Sequence, residues 1–376
     1  MSAVLAQRLA NVTGSATMKV AAEADRLKRS GVQIVDFGAG EPDFQTPQHV
    51  KDAAKAAIDA NFSRYTNAMG IPEFREAICA TYKRDYGIDC TAAEVLITNG
   101  GKQALFNTAL ALFNPGDEVI THAPYWPTIP EQIKIANATP EAIIINSPCN
   151  PTGSLTDVAA MTPIVEAAAA RGIWVIVDLC YEHLIYDEVD HNLPKLLFDK
   201  HRDRSVICGS LSKTYAMTGW RAGWTIAPKD LTQAFNVIMG HTTSNIASIV
   251  QKAGVVALNG PQDGVKVMLD EYRRRRDAIH GWLTANPAIK CVKPRGAFYL
   301  FPDISELLGG EVKSSSEFAQ RLIEQEHVAL TPGEGFDAPG YLRISYATSM
   351  DQLREGATRI LRLAEKLQPA KAGASR

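Results

Sequence analysis

The chain has 376 residues, of which 46% are apolar and 21% charged. Its 39 Lys and Arg against 41 Asp and Glu leave a net charge of −2. That balance excludes wholesale disorder, a basic field for a nucleic-acid backbone and an acidic tail.

In chain order, short aliphatic or β-branched runs predict strands over 95–98, 118–121, 142–146, 174–178, 205–209 and 223–227. Most are unbroken rather than alternating, as expected of strands buried on both faces. Helical patterns fall between them, for example over 103–112 and 158–170. This alternation predicts α/β architecture with a mainly parallel sheet. Beyond about residue 255 the texture changes to a long charged helix and short strands near 298–300 and 342–345, a second, smaller α+β unit. The run Arg273, Arg274, Arg275 and Arg276 reads as a solvated face of that helix.

Cys79, Cys90, Cys149, Cys180, Cys208 and Cys291 are scattered without a C-x-x-C pair, so reduced thiols and a cytoplasmic setting are expected. Cys180 and Cys208 each end an apolar run and read as inert core residues. The eight histidines have no metal-ligand spacing, and no metal is expected. The N-terminus lacks a basic region ahead of an apolar stretch, and no apolar run reaches the ~18 residues of a membrane span. Neither a signal peptide nor a span is expected.

In open α/β sheets, ligands bind outside the carboxyl ends of the strands. Five predicted strands end there in polar or aromatic residues. They lead into Asn-Gly-Gly-Lys-Gln, His-Ala-Pro-Tyr-Trp, Ser-Pro-Cys-Asn-Pro-Thr-Gly, Asp-Leu-Cys-Tyr and Ser-Leu-Ser-Lys. Such a rim predicts a site.

Gly38-Ala-Gly40 is followed by Glu-Pro-Asp and does not open a helix, so it is no dinucleotide fingerprint. Gly100-Gly101-Lys102-Gln103 is no Walker loop, but between strand and helix its N–H groups can hold one phosphate. By itself it is also simply a helix start. Lys213, among the hydroxyls of Ser210, Ser212 and Thr214, is either a solvated loop lysine or a Schiff-base lysine. Arg221 can return to the same pocket with Ser210 to bind a phosphate. Asp178 ends an apolar strand, where it either caps the next segment or pairs with a protonated pyridine nitrogen. Tyr181 and Asn150 can donate to a ring oxygen, although Asn-Pro-Thr-Gly alone is just a turn.

Taken together, these motifs, with Thr-Gly-Trp-Arg221 and Leu342-Arg343-Ile-Ser, resemble the fold-type-I aminotransferases that use pyridoxal phosphate. The chain is most similar to their bacterial aspartate aminotransferase branch, from about Ser15 to about Leu367, including Gly-Ala-Gly40-Glu-Pro-Asp-Phe. The resemblance implies a large cofactor domain over 47–275, a small domain from 15–46 and 276–370, and an N-terminal arm over 1–14. It implies that Lys213 bonds to the cofactor, Asp178 binds the pyridinium nitrogen, and Tyr181 and Asn150 contact the ring hydroxyl. Trp126 would stack on the ring. Ser210, Arg221 and the backbone of Gly101 and Lys102 would hold the phosphate. Tyr65 would reach it from the second subunit of a homodimer. Arg343 would take the substrate α-carboxylate, Gly40 would lie over the substrate, and Lys102 would meet the distal carboxylate of an acidic substrate.

The implied activity is ping-pong transamination of aspartate or glutamate with a 2-keto acid. Broad, aromatic or prephenate transamination and β-lyase chemistry share the same cofactor, because fold does not fix function. A non-catalytic sensor domain is the remote alternative. One departure stands out. In the family, a further strand–helix unit separates the Pro-Tyr-Trp segment from the Ile-Ile-Asn strand, whereas here 127–141 runs almost directly into 142–146. Either the unit is deleted or a stretch near 137–140 is omitted, omission being the preferred reading. Deletion would leave an exposed sheet edge.

Overall fold

The computed structural model describes residues 12–14, 16–136, 141–187 and 189–367. From the N-terminal side, α1 (Ala16–Arg29) and β1 (Val35–Asp36) precede α2 (Gln48–Asp59) and α3 (Pro72–Tyr86). Next come β2 (Val95–Thr98), α4 (Gly101–Leu112), β3 (Glu118–Thr121), α5 (Thr128–Ile135) and β4 (Glu141–Asn146). They lead to α6 (Val158–Ala170), β5 (Trp174–Asp178), α7 (Leu193–His201), β6 (Ser205–Ser210) and β7 (Gly223–Ile226). The rest comprises α8 (Lys229–Thr242), α9 (Ser248–Asn259), α10 (Asp263–Thr284), β8 (Tyr299–Leu300), α11 (Ser315–Gln325), β9 (Val328–Ala329), β10 (Thr331–Pro332), β11 (Leu342–Ser345) and α12 (Met350–Leu367).

Local chemistry sets several of these boundaries. Asp157 starts the alanine-rich α6 by accepting the N–H groups of Ala159 and Ala160 at 2.7 and 3.2 Å. Such a cap satisfies donors that the first turn leaves unpaired. Pro72 opens α3, and Gly87, at φ 68°, closes it in the left-handed region that glycine enters freely.

The main sheet has the order β2-β7-β6-β5-β4-β3. Strands β3 to β6 are mutually parallel, and β7 runs antiparallel to both β6 and β2. The sheet is therefore mainly parallel, with helices as crossovers. Register matters most for function. Asn146 lies opposite Asp178, Asp178 opposite Cys208, and Ser210 and Thr98 each opposite Gly223. The chemistry-bearing strand ends are thus brought to one rim.

Strands β2, β6 and β7 are buried throughout, as unbroken apolar runs predict. β3 differs: it is the terminal strand among the described residues, alternates between exposed and half-buried positions, and leaves Ile120 60% exposed. The predicted break at 137–140 lies outside the described residues, as does the predicted arm apart from residues 12–14.

A second core forms beside the first. It joins Val35 and Phe37 from near the N-terminus to Tyr272, Phe298 and Tyr299, and to Leu353 and Ile360 of α12. Its sheet has the antiparallel order β10-β11-β8, while β1 pairs in parallel with β9. The arginine run of α10 departs from a purely solvated face. Arg275 and Arg276 are buried: Arg275 holds Asp43 and Glu271, and Arg276 pairs with Asp277 and donates to the Pro294 carbonyl. The helix turns two guanidiniums inward because carboxylates and carbonyls wait there, a pairing that hydropathy does not reveal. No helix among the described residues is long and apolar enough to cross a membrane.

Candidate active site

Above the rim lies a cavity of about 610 Å³, lined by residues from both cores. Asp178 forms its floor and is only 3% exposed. Its Oδ1 accepts the Cys180 N–H at 3.0 Å, and burial pushes the carboxyl up to about 7. The Cys180 N–H and Lys213 oppose that rise, while Glu182 adds to it. A carboxylate is costly to bury without a cation, so the site is built to receive one.

Lys213 projects into the same cavity and donates to the Gly40 carbonyl. Burial lowers its pKa, and Arg343 and Arg221 push in the same direction, which favours a neutral, nucleophilic amine. The Tyr181 hydroxyl lies 2.8 Å from that of Tyr299.

Part of the cavity wall is a tight cluster of donors. Gly100 has φ +78°, and a Cβ there would lie 2.6 Å from Arg221 Nη2. A Cβ at Gly223 would meet the Gly100 and Gly101 backbone at 2.6 Å. The two glycines therefore let the start of α4, the β7 entry and the Arg221 guanidinium share one small space. Arg221 Nη1 donates to the Thr218 carbonyl at 2.8 Å and Nη2 to that of Asn99 at 3.2 Å. Ser210 Oγ is 2.7 Å from Ser212 Oγ. A helix N-terminus, a guanidinium and hydroxyls form a donor set suited to a phosphate.

Arg343 of β11 lines the same cavity and is 2% exposed. Its Nη1 donates to Asn150 Oδ1 at 3.0 Å and its Nη2 to the Gly38 carbonyl at 2.9 Å. Nε is buried with no hydrogen-bond partner among the described residues. The guanidinium also lies over the rings of Tyr299 and Phe336, at 4.6 and 5.2 Å. Among the described residues no carboxylate pairs with it, which leaves its charge free to meet an anion in the cavity. Lys102 Nζ lies 5.1 Å from the Trp126 ring centroid, and its pKa is lowered by partial burial and by Arg221.

The cavity thus gathers Gly40, Gly101, Lys102, Trp126, Asn150, Asp178, Tyr181, Ser210, Lys213, Arg221 and Arg343. It does not gather Tyr65, which is 90% exposed on the surface of the single chain. Cys180 corrects its expected place in the inert core: it is half-buried and lines the cavity, because the chain turns after Asp178, whose Oδ1 accepts the Cys180 N–H. Sequence reasoning missed Tyr299, Glu41 and Thr218, which also line it. Thr218 Oγ1 donates to Glu41 Oε2 at 2.7 Å. Glu41 stands inside a quoted motif, but Tyr299 carried no signal beyond a short apolar strand. A larger cavity of about 840 Å³ lies on the far side of Lys102 and Arg221. Its own charged residues are exposed, as Glu334 is, or paired, as Glu131 is with Lys134, so it offers no comparable chemistry.

Comparison with known proteins agrees with this arrangement. The family model for aminotransferase class I and II matches residues 32–141 and 136–360. The chain belongs to that family. The match falls in two segments that overlap over 136–141, the place where the family's strand–helix unit was expected. The chain is 38% identical over 389 residues to an aspartate aminotransferase of Streptomyces avermitilis, with 95% of each covered. It is 37% identical over 391 residues to an aspartate/prephenate aminotransferase of Cereibacter sphaeroides, covering 95% of this chain and 98% of the relative. Among solved structures, the Thermus thermophilus aspartate aminotransferase with maleate superposes with a TM-score of 0.91 at 34% identity. That superposition covers 96% of this chain and all of the other.

Proposed function

We propose that this class I/II aminotransferase uses pyridoxal 5'-phosphate to transfer the amino group of aspartate or glutamate to 2-oxoglutarate or oxaloacetate. The observation that carries the reading is Asp178: a buried carboxylate raised to about 7, in one cavity with an amine whose pKa is lowered. The residues fit the cofactor at each end. Asp178 supplies the anion for a pyridinium nitrogen, Tyr181 and Asn150 the contacts to a ring hydroxyl, and Trp126 a face for the ring. Ser210, Arg221 and the Gly101 and Lys102 N–H groups supply the phosphate donors. The bound cofactor supplies an electron sink that makes the substrate Cα proton removable.

The chain's own groups then divide the work. Arg343 offers its fork and unpartnered Nε to the α-carboxylate, fixing Cα beside Lys213. Lys213 Nζ takes the Cα proton as general base, a role its lowered pKa suits. The ionised form of Asp178 is stabilised when it faces a positive ring nitrogen, so it would favour the protonated ring. Lys102 meets the distal carboxylate, and Gly40 covers the substrate. The first keto acid leaves before the second binds, so the kinetics are ping-pong. Tyr65, too exposed to serve its own cavity, completes the neighbouring site of a homodimer as Tyr65 of the partner subunit. The reading keeps the enzyme in the cytoplasm, where thiols stay reduced.

A second reading widens the keto-acid partner to prephenate-like compounds, for which the Cereibacter sphaeroides relative's name is the motive. One experiment separates the readings. The visible absorption band of the cofactor-loaded protein is followed in a single turnover with L-aspartate, then with either 2-oxoglutarate or prephenate. Loss with aspartate and recovery with 2-oxoglutarate alone supports the first reading. Recovery with both supports the second. A protein that acquires no such band overturns the assignment of Lys213.

A further inference from the structure

Away from the active site, α3 ends at Tyr86 and the left-handed Gly87 reverses the chain. Two contacts then fix how residues 88–92 return along the helix. Lys83 Nζ pairs with Asp89 Oδ1 at 2.8 Å, and Arg75 Nη1 donates to the Ala92 carbonyl at 2.9 Å. The returning segment is therefore antiparallel to α3, and the register between these anchors sets Cys90 against Cys79. The two thiols lie close enough for each to influence the other's ionisation, and both are half-buried against the main core.

We propose that Cys79 and Cys90 form a reversible dithiol–disulfide site that a low-molecular-weight disulfide, such as oxidised glutathione, can close. Cys79 is the attacking sulfur: it stands one helical turn after Arg75 on α3, and that guanidinium favours its thiolate. Arg75 Nε is also buried without a hydrogen-bond partner. Cys90, whose thiolate is disfavoured by burial, acts second. The Cys79 thiolate attacks the disulfide, expelling one thiolate and forming a mixed disulfide. Cys90 then loses its proton and attacks Cys79 Sγ, expelling the second thiolate. Two protein thiols are oxidised, one small disulfide is reduced to two thiols, and atoms and electrons balance.

The link would close a loop from α3 to the segment that enters β2, whose far end carries the Gly100 cup. It would brace that scaffold without touching the cavity. To test the site, cofactor-loaded protein is equilibrated across glutathione redox buffers, alkylated under native conditions and mapped by mass spectrometry. The expected result is a Cys79–Cys90 linked peptide in the oxidising buffers, lost on return to reducing ones. Thermal unfolding of the oxidised form should rise by about 3 °C for so short a loop. Cys90→Ser should accumulate a glutathionyl adduct at Cys79, while Cys79→Ser should leave Cys90 largely unmodified. No linked peptide at any redox ratio overturns the proposal. So does a Cys79→Ser protein that is modified at Cys90 as fast as the Cys90→Ser protein is at Cys79.

Discussion

Arg343 Nη1 donates to Asn150 Oδ1 at 3.0 Å, joining β11 of the second core to the loop that follows β4 of the first. Nη2 is spent on Gly38, and the buried Nε has no partner. Two of the fork's faces are thus anchored by protein, and the remaining donor capacity is held toward the cavity. Lysine cannot reproduce this, because an ammonium is a point charge without a planar fork. Arg343→Lys should therefore lower kcat/KM for aspartate by about 10–100-fold, the loss of one or two charge-assisted bonds. Cofactor affinity, read from the visible absorption band, should change little. An equal loss in both would assign Arg343 to cofactor binding instead.

Asp178 predicts an inverted pH response for the cofactor-free protein. Its folded value of about 7 lies above the unfolded carboxyl value near 3.9. Between those limits the native state keeps a proton that the unfolded chain releases. Stability from this group is therefore full below about pH 4 and lost as pH rises toward 7, by something on the order of 4 kcal/mol. Asp178→Asn removes that loss. The cofactor-free variant should unfold at a higher temperature than cofactor-free wild type at pH 8, with the difference closing near pH 4. The same variant should lose most transaminase activity. Equal unfolding temperatures at pH 8 would show that Asp178 carries no unpaired charge there.

These two residues also show what could be read before the structure. Asp178 and Lys213 follow apolar strands, and the switch from a buried run to a polar residue marks the rim of an α/β sheet. Arg343 was found only through resemblance, since nothing in Leu-Arg-Ile-Ser by itself distinguishes a site arginine from a strand-edge one. Tyr299 was missed because an aromatic residue in a short apolar strand looks like core, and its hydroxyl contact with Tyr181 spans 118 residues. Arg275 was misread for a similar reason. Its partner Asp43 lies 232 residues away, and pairing at that distance leaves no local pattern. Tyr65 has no role within one chain, so its proposed one depends on a second copy.

Gly100 offers a test of the phosphate cup. Its φ of +78° disfavours any side chain, and an alanine Cβ would press on Arg221 Nη2 at 2.6 Å. Gly100→Ala should weaken cofactor binding by about tenfold or more, one displaced charge-assisted contact. Gly309→Ala is the control: it has φ +100° but nothing within 4 Å of the added Cβ. It carries backbone strain alone and should leave cofactor titrations unchanged. If both variants bind cofactor like wild type, the cup does not depend on the Gly100–Arg221 fit.

Lys102 bears on substrate choice. Partial burial and Arg221 lower its pKa, and a substrate's distal carboxylate would favour the ammonium. Lys102→Met keeps an aliphatic stem against Trp126 while removing the charge. It should lower kcat/KM for aspartate by about 10–100-fold and leave a monocarboxylic amino acid nearly unaffected. A uniform fall for both substrates would place Lys102 on the phosphate side alone.

The edge of the main sheet carries the last prediction. Among the described residues β3 is terminal in the sheet, and its Ile120 is 60% exposed. Nearby, Ile143, Pro163 and Ile164 line a shallow apolar groove between β4 and α6. An unpaired strand edge presents free N–H and C=O groups, and natural edges are commonly protected by a charge. β3 has Glu118 at its start, but at the centre of its exposed face it offers isoleucine. Pairing of two such edges should therefore produce association beyond the proposed dimer, and it should strengthen with salt as the Glu118 charges are screened. Ile120→Lys places a charge where two edges would meet. Its light scattering should stay flat with concentration while that of wild type rises, with kcat unchanged because Ile120 lies outside the cavity. Wild-type protein that also scatters independently of concentration would show that this edge is already protected.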